Sequence, residues 1–349
     1  MSAQSTKRME YVRLGESGLK ISKIVLGCMS YGDPTWNGNW VLPQEEASKQ
    51  IKAAYDAGIN AFDTANIYSA GMSEEVLGSA IKEHNLPRDE IVVMTKLCYP
   101  VAPGMAFLPP GPEADAAGYV NQYGLSRKHI FDSVKHSLRR LQLDYIDLLQ
   151  RHRFDSETPI EETMHALHDV VKAGYVRYIG MSSCYAWEFH AMQNCAIANK
   201  LTPFISMQNH HSLLYREEER EMFPTLKLFG VGAIPWSPLA RGALARPLAA
   251  QANSKRSGSD ITSASLYIQS SASQTIVNRV EEIAKKHNIG MAQIAIAWSL
   301  SKEGVSAPIV GTTTMANLQD AIAGIHVKLT GEEIKYLEEP YEPLPIFGH

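Results

Sequence analysis

The chain predicts an α/β fold: a closed (β/α)8 barrel in one domain, residues 1–349, with its active site at the C-terminal face of the strands. Three observations predict it. Eight short apolar runs alternate with longer segments of helical period, which implies parallel strands joined by right-handed crossovers. A length of 349 residues suits one α/β barrel. An open doubly wound sheet would want a G-x-G-x-x-G after an early strand, and the sequence has none.

The elements can be justified in order. Ile24 to Leu26 is the first strand, followed by Gly27. From Glu45 to Ala57, Ala47, Ile51, Ala54 and Tyr55 share one helical face, and Gly58 stands where a C′ glycine belongs. Ile59 to Phe62 is the second strand. Ser73 reads as an N-cap before Glu74 and Glu75, opening a helix to about Lys82. Ile91 to Thr95 is the third strand. Ser126 opens a helix to Leu141, and Tyr145 to Leu149 is the fourth strand. Pro159 begins a helix at its favoured first position, ending before Gly174.

The second half repeats the pattern. Val176 to Gly180, Phe204 to Gln208, Val231 to Trp236 and Ala307 to Val310 read as strands. Ala186 to Lys200, Glu217 to Leu228, Thr275 to His287, Met291 to Lys302 and Ala316 to Ala323 read as helices. Two stretches break the repeat. Residues 98–123 are rich in Pro, Gly and Ala; residues 240–273 are rich in Ser and Ala and carry Lys255 and Arg256. Each follows a strand, the third and the seventh, so each is a long loop on the catalytic face, a lid or binding loop, the alternative being a tolerated surface insertion.

Composition narrows the function. The chain is 45% apolar and 20% charged, with a net charge of −4. That balance argues against a phosphate-tracking surface, so no nucleic acid partner is expected. No run of 18 apolar residues suggests a membrane span. No apolar h-region follows the first residues, so a secretory leader is not expected either. Cys28, Cys98, Cys184 and Cys195 show no CxxC spacing. Reduced thiols in a cytoplasmic protein fit better than a disulfide framework or structural zinc. The adjacent His210 and His211 invite a metal, but no carboxylate or cysteine follows at ligand spacing, and none is assigned. Nothing in the sequence sets an oligomeric state.

Barrel enzymes place reacting groups at the C-terminal ends of strands. Those positions hold Asp63, Lys96, His152, Ser182 and Ser183, Gln208, Trp236 and Ser237, and Gly311 to Thr313. Tyr68 lies five residues beyond Asp63, close enough to fold back over the same mouth. This set fits carbonyl reduction. No side chain donates hydride, so a nicotinamide must. Tyr68 can give the proton, but a free phenol titrates near pH ~10 and is a weak acid at neutrality. A Lys96 ammonium beside it favours the phenolate, Asp63 keeps Lys96 charged and aimed, and His152 orients the carbonyl oxygen. Taken singly, Lys96 could be a Schiff-base nucleophile, Asp63 a turn cap, and His152 part of a surface cluster with Arg151 and Arg153. Their coincidence at one mouth favours reduction. Tyr31, Trp36 and Trp40 from the first loop, with the 98–123 loop, are candidate walls for the substrate; Tyr31, Tyr68 and His152 are the substrate contacts expected.

The motifs resemble those of the aldo-keto reductases. The run Gly58-Ile-Asn-Ala-Phe-Asp63-Thr-Ala-Asn-Ile-Tyr68 through Glu75, then Leu77-Gly78, is similar to the family's first signature. Met94-Thr95-Lys96 resembles its lysine motif and Tyr145-Ile-Asp-Leu-Leu-Gln-Arg-His152 its histidine motif. Lys172 to Ser183 and Trp236-Ser-Pro-Leu-Ala-Arg-Gly242 are also family-like. The likeness spans residues 10 to 338 and is nearest to the fungal aryl-alcohol dehydrogenase branch, with potassium-channel β-subunits as cousins. The latter suggest a second function, a cofactor-binding regulatory subunit.

The resemblance implies a tetrad of Asp63, Tyr68, Lys96 and His152 and an NADP cofactor, NAD being the less expected. It implies Trp236 against the nicotinamide, and Ser182, Ser183 and Gln208 on its carboxamide, with Ser183 replacing the usual asparagine. It implies Gly27, Cys28 and Met29 beside the cofactor, and Ser237, Pro238, Leu239, Arg241 and Gly242 along the pyrophosphate. Gly311, Thr313, Asn317 and Asp320 match the adenosine side. That last segment departs from the family pattern: it has no cation for a 2′-phosphate, and Ala321 takes an asparagine position. Arg256, or Lys255, is the candidate to supply the charge. The substrate expected is a small carbonyl compound.

Overall fold

A computed structural model describes residues 9–36, 38–105, 107–253 and 267–349. Arg256 and Lys255 lie outside the described residues. The chain opens with an antiparallel hairpin, β1 (Tyr11–Arg13) and β2 (Lys20–Ser22), which the helix and strand periods of the sequence do not announce. Eight parallel strands follow: β3 (Val25–Gly27), β4 (Ala61–Asp63), β5 (Val92–Leu97), β6 (Ile146–Arg151), β7 (Val176–Ser182), β8 (Phe204–Gln208), β9 (Gly232–Ala233) and β10 (Ile309–Val310). They are ordered β10-β3-β4-β5-β6-β7-β8-β9. The seam between β9 and β10 closes through single bridges, Ala233 to Val305 and Trp236 to Ile309. There the Ile309 amide donates to the Pro235 carbonyl at 2.8 Å. The ring is therefore a closed (β/α)8 barrel.

The predicted strand Val231–Trp236 shortens to two residues plus the bridge at Trp236. Pro235 explains it, since proline brings no N–H to a ladder. The helices are α1 (Gln44–Asp56), α2 (Met72–Glu83), α3 (Pro112–Ala116), α4 (Arg127–Leu141), α5 (Ile160–Lys172), α6 (Ala186–Ala198), α7 (Met222–Leu228), α8 (Ser271–His287), α9 (Met291–Ser301), α10 (Met315–Gly324) and α11 (Gly331–Glu338). Two caps differ from expectation. Ser73 lies inside α2, where its hydroxyl donates to the Cys28 carbonyl at 2.7 Å; the N-cap is Gly71, φ 98°. Pro159 is the N-cap of α5 rather than its first helical residue. The predicted Glu217–Leu228 helix is a 3-10 turn at Glu217–Glu219 and then α7.

The core has layers. The outer faces of the strands pack on the helices through Leu26, Phe62, Val93, Leu149 and Ile179. Inside the barrel, Val25, Ala61, Met94, Leu148 and Ile234 meet Leu14 and Ile21 of the hairpin region. The hairpin thus plugs the N-terminal end, and the C-terminal end is left for polar side chains. The 98–123 loop folds on itself: Gly124 N–H donates to the Cys98 carbonyl at 2.7 Å, pinching its base. Ala102, Leu108 and Ala114 form a small core of its own, as compact functional loops do.

Candidate active site

Strand alternation sends every second side chain into the barrel. Register sets Lys96 beside Gln150 and Gln150 beside Gly180. Gly180 is needed there: a Cβ would run into the Ser206 hydroxyl and stand 3.4 Å from the Gln150 side chain. Asp63 ends β4 next to this row. Its Oδ2 accepts from Lys96 Nζ at 2.6 Å, and its Oδ1 accepts from Gln150 at 2.9 Å and from Gln208 at 2.8 Å. Gln208 also donates to the Gln150 side-chain oxygen at 2.9 Å. Gln150, which sequence reasoning passed over, could have been found two residues before His152 on the same strand face.

Lys96 is fully buried, 0% exposed. Its three N–H donors meet three acceptors: Asp63 at 2.6 Å, the Thr64 carbonyl at 2.8 Å and the Tyr68 hydroxyl at 3.3 Å. Burial alone would push its pKa down, but Asp63 and then Tyr68 outweigh it and hold the ammonium above the ordinary lysine range. With all three donors engaged inside the protein, Lys96 is not presented to the mouth as a free amine.

Tyr68 reaches the mouth because the backbone reverses behind it. Ser69, Ala70 and Gly71 all take left-handed conformations, φ 48°, 50° and 98°. Such non-glycine residues store roughly 1–3 kcal/mol each and gather at functional sites. The Tyr68 ring meets His152 edge-on, centroids 5.8 Å apart. Burial, then Arg153 and Lys96, hold His152 well below the usual histidine range, so its imidazole is neutral. The tetrad of Asp63, Tyr68, Lys96 and His152 stands together at one mouth. Arg151 does not form a surface cluster with His152: it is 1% exposed, turned outward beneath the helices against Met192.

Aromatic rings surround the tetrad. Trp36 lies 6.5 Å from Tyr68, Tyr99 lies 5.2 Å from His152, and Phe107 of the long loop lies 5.3 Å from Tyr99. Tyr31 does not line this space. It is wholly buried with its hydroxyl on Gln50, so it is no substrate contact, and Trp40 is buried too. Aromaticity alone could not separate a loop residue that packs inward from one that faces the mouth.

Around the rim, Trp236 donates its indole N–H to Ser183 at 3.0 Å. Behind it the ring of His210 stacks, and the ring of Tyr215 stacks behind His210. His211 meets Glu219 at 2.9 Å, eight residues on. Neither ring of the histidine pair stands in a cluster of three or more metal-binding side chains among the described residues. Ser183, Ser237, Ala240, Arg241 and Gly242 all have positive φ, from 32° to 102°. Such a sequence of turns folds backbone amides into a concavity suited to an anion. Ser182 and Gln208 are buried, paired in register at the ends of β7 and β8. Gln208 spends both amide hydrogens on Asp63 and Gln150, which leaves its oxygen for a ligand.

The remaining expected contacts vary. Gly27 packs on Ile309, and Cys28 turns its thiol into the wall, where burial raises its pKa; Met29 is half-buried. Pro238 is buried and Leu239 half-buried. Gly311 and Asn317 are exposed and Thr313 half-buried, at the N-terminus of α10, which Thr314 caps. Asp320 already accepts from Gln293 at 2.6 Å, which ties it to the neighbouring α9.

Residues 23–342 match the model of the Aldo/keto reductase family. Among curated proteins the chain is 51% identical to versiconal hemiacetal acetate reductase of Aspergillus parasiticus, covering 97% of this chain and 98% of the relative. It is 50% identical to a putative aryl-alcohol dehydrogenase of Schizosaccharomyces pombe, covering 97% of each. A putative aryl-alcohol dehydrogenase of Saccharomyces cerevisiae is 46% identical, over 96% of this chain and 98% of the relative. No described helix is long and apolar enough to cross a membrane.

Proposed function

The chain belongs to the aldo/keto reductase family and is an oxidoreductase, and from that premise we propose that it reduces aldehydes or ketones, aromatic ones included, to alcohols with NADPH. The observation that carries the reading is the saturated Lys96 ammonium, bonded at once to Asp63 and to the Tyr68 hydroxyl. The names of relatives at 50% identity or so point the same way.

The residues fit a nicotinamide cofactor. Trp236, held by Ser183 at its edge, offers an aromatic face. Ser182, Ser183 and the Gln208 oxygen would hold the carboxamide. The left-handed turns from Ser237 to Gly242 suit the pyrophosphate, with Gly27, Cys28 and Met29 beside them. The α10 N-terminus, Gly311 to Asn317, suits the adenosine end through its dipole. When bound, the nicotinamide supplies the hydride.

The chain's own residues do the rest. Neutral His152 donates a hydrogen bond to the substrate carbonyl oxygen and orients it. Tyr68 gives its hydroxyl proton to that oxygen, and the adjacent Lys96 ammonium stabilises the phenolate left behind. Asp63, fixed by Gln150 and Gln208, keeps Lys96 in place. NADPH over NADH rests mostly on the family likeness; residues 311–324 carry no cation, so Arg256 or Lys255 would supply the charge for a 2′-phosphate. The four free cysteines favour a reducing compartment, the cytoplasm.

The test is aldehyde-dependent loss of nicotinamide absorbance with NADPH and with NADH. Turnover favouring NADPH is expected. Cofactor binding with no aldehyde-dependent loss would overturn the reading and leave a cofactor-binding protein like the channel β-subunits.

A further inference from the structure

Arg153 follows His152 at the end of β6 and sits half-buried at the rim of the mouth. One donor, Nη1, bonds the His152 carbonyl at 2.5 Å. Nη2 lies 3.6 Å from the point where a Cβ on Gly348 would stand, and that point is also 3.6 Å from Cζ2 of Trp236. Gly348 of the C-terminal segment therefore lies between the guanidinium and the indole. Its charge is felt by Tyr99, His152 and His210.

Its partners set it apart from most half-buried arginines, though Arg246 shares the feature. Arg88, Arg127, Arg140, Arg216, Arg220 and Arg279 each meet a carboxylate within 3.1 Å. Arg153 meets none among the described residues, and four of its five donors are left over. Its Nε and Nη2 are not sealed from solvent, so a ligand can reach them. The segments suited to the cofactor's phosphates lie elsewhere, after β9 and at α10. Arg153 stands instead on the side of Tyr99 and His152, at the mouth.

We propose that Arg153 is a specificity residue that binds a carboxylate on the substrate, so that this enzyme prefers aromatic aldehydes or ketones bearing an acidic group. The proposal rests on the reductase reading. Arginine suits it, because its planar fork matches a carboxylate with two parallel hydrogen bonds, which lysine cannot do. The flat rings of Trp36, Tyr99 and Phe107 suit the arene between the two polar ends.

The experiment compares 3- and 4-carboxybenzaldehyde with their methyl esters, using wild-type enzyme, R153Q and R153K. Wild-type enzyme should favour at least one acid over its ester by roughly tenfold or more in kcat/KM. R153Q should erase that preference through KM, with ester turnover within about threefold of wild type, and R153K should keep part of it. Equal kcat/KM for acid and ester in wild type, or a preference that survives R153Q, overturns the proposal. A second arm needs no turnover: calorimetry of terephthalate and its monomethyl ester with the NADP+-loaded protein. Tighter terephthalate binding in wild type, lost in R153Q, supports the role of Arg153 even if no aldehyde is consumed, an outcome that would sink only the reductase reading. Equal binding by both variants sinks the role of Arg153.

Discussion

The indole of Trp236 lies flat on the imidazole of His210, ring centroids 4.1 Å apart and planes within 10°. Tyr215 covers the other face of the imidazole at 4.1 Å and 11°, and His210 Nε2 meets the Tyr267 hydroxyl at 2.9 Å. Burial, then the Arg241 charge, holds His210 well below the usual histidine range, so this is a stack of three neutral rings. Its work is to set the plane of Trp236. A stacked pair is worth about 0.5–1.5 kcal/mol beyond its burial. His210→Ala should therefore weaken NADPH binding by roughly tenfold, with a smaller change in kcat, and His210→Phe should restore most of it. Cofactor titration by quenching of tryptophan fluorescence reads both variants. Equal loss in the two would mean that the hydrogen bond to Tyr267, not the stack, is what counts.

Tyr68→Phe separates chemistry from binding. The ring stays to meet His152 and Trp36, while the hydroxyl 3.3 Å from Lys96 is lost. Loss of a positioned proton donor costs about 10²- to 10⁴-fold in rate. We expect reduction to fall by that order with the NADPH dissociation constant unchanged. Retained turnover would place the proton donor elsewhere.

That Asp63, Lys96 and His152 meet at one mouth is legible in the sequence, because strand positions alone place them at the C-terminal end of the barrel. What supports them was harder to see. Gln150 lies inside the histidine motif, two residues before His152 on the same strand face, but its bonds to Asp63 and Gln208 show only in the barrel's register. The Tyr11–Ser22 hairpin was missed because two three-residue strands give too short a period to register. The final helix Gly331–Glu338 has a capping box at Thr330 and Glu333, a start signal that the sequence does carry. Tyr31 misled because a tyrosine after a barrel strand reads the same whether its hydroxyl meets Gln50 or a ligand.

Gln150 offers a test of whether Asp63 needs its neutral donors. In Gln150→Leu, Asp63 keeps Lys96 and Gln208 but loses one bond, and Gln208 loses its acceptor. Hydrogen bonds to a charged group are worth about 1.5–3 kcal/mol. Urea unfolding should show a loss of roughly that size, and kcat should fall by about tenfold as Lys96 loosens. Gln150→Glu should be worse than Gln150→Leu at neutral pH, because it sets a second carboxylate against Asp63 in a buried site. If Gln150→Glu were the milder change, the row would not be holding Asp63 by donation.

Acid should destabilise the fold before any carboxylate titrates. His152 and His210 are held well below the usual histidine range, burial being the largest cause for each, and burial likewise lowers His129 despite its bond to the Gly124 carbonyl. Burial lowers His211 as well, and all four titrate lower folded than in the unfolded chain, where histidine titrates at about pH 6.5. Their folded values are depressed, so the unfolded chain binds more protons as pH falls below that value, and stability is lost in that direction. Each histidine contributes a slope of up to about 1.4 kcal/mol per pH unit in this window. Asp147 and Glu188, whose values burial raises, lean the other way but only nearer the carboxylate range. Urea midpoints should therefore be level above pH 7.5 and fall steeply from pH 6.5 to 5.5. Replacing His129 by glutamine should flatten the slope by one histidine's share; an unchanged slope in that variant would show that His129 is already protonated in the native protein.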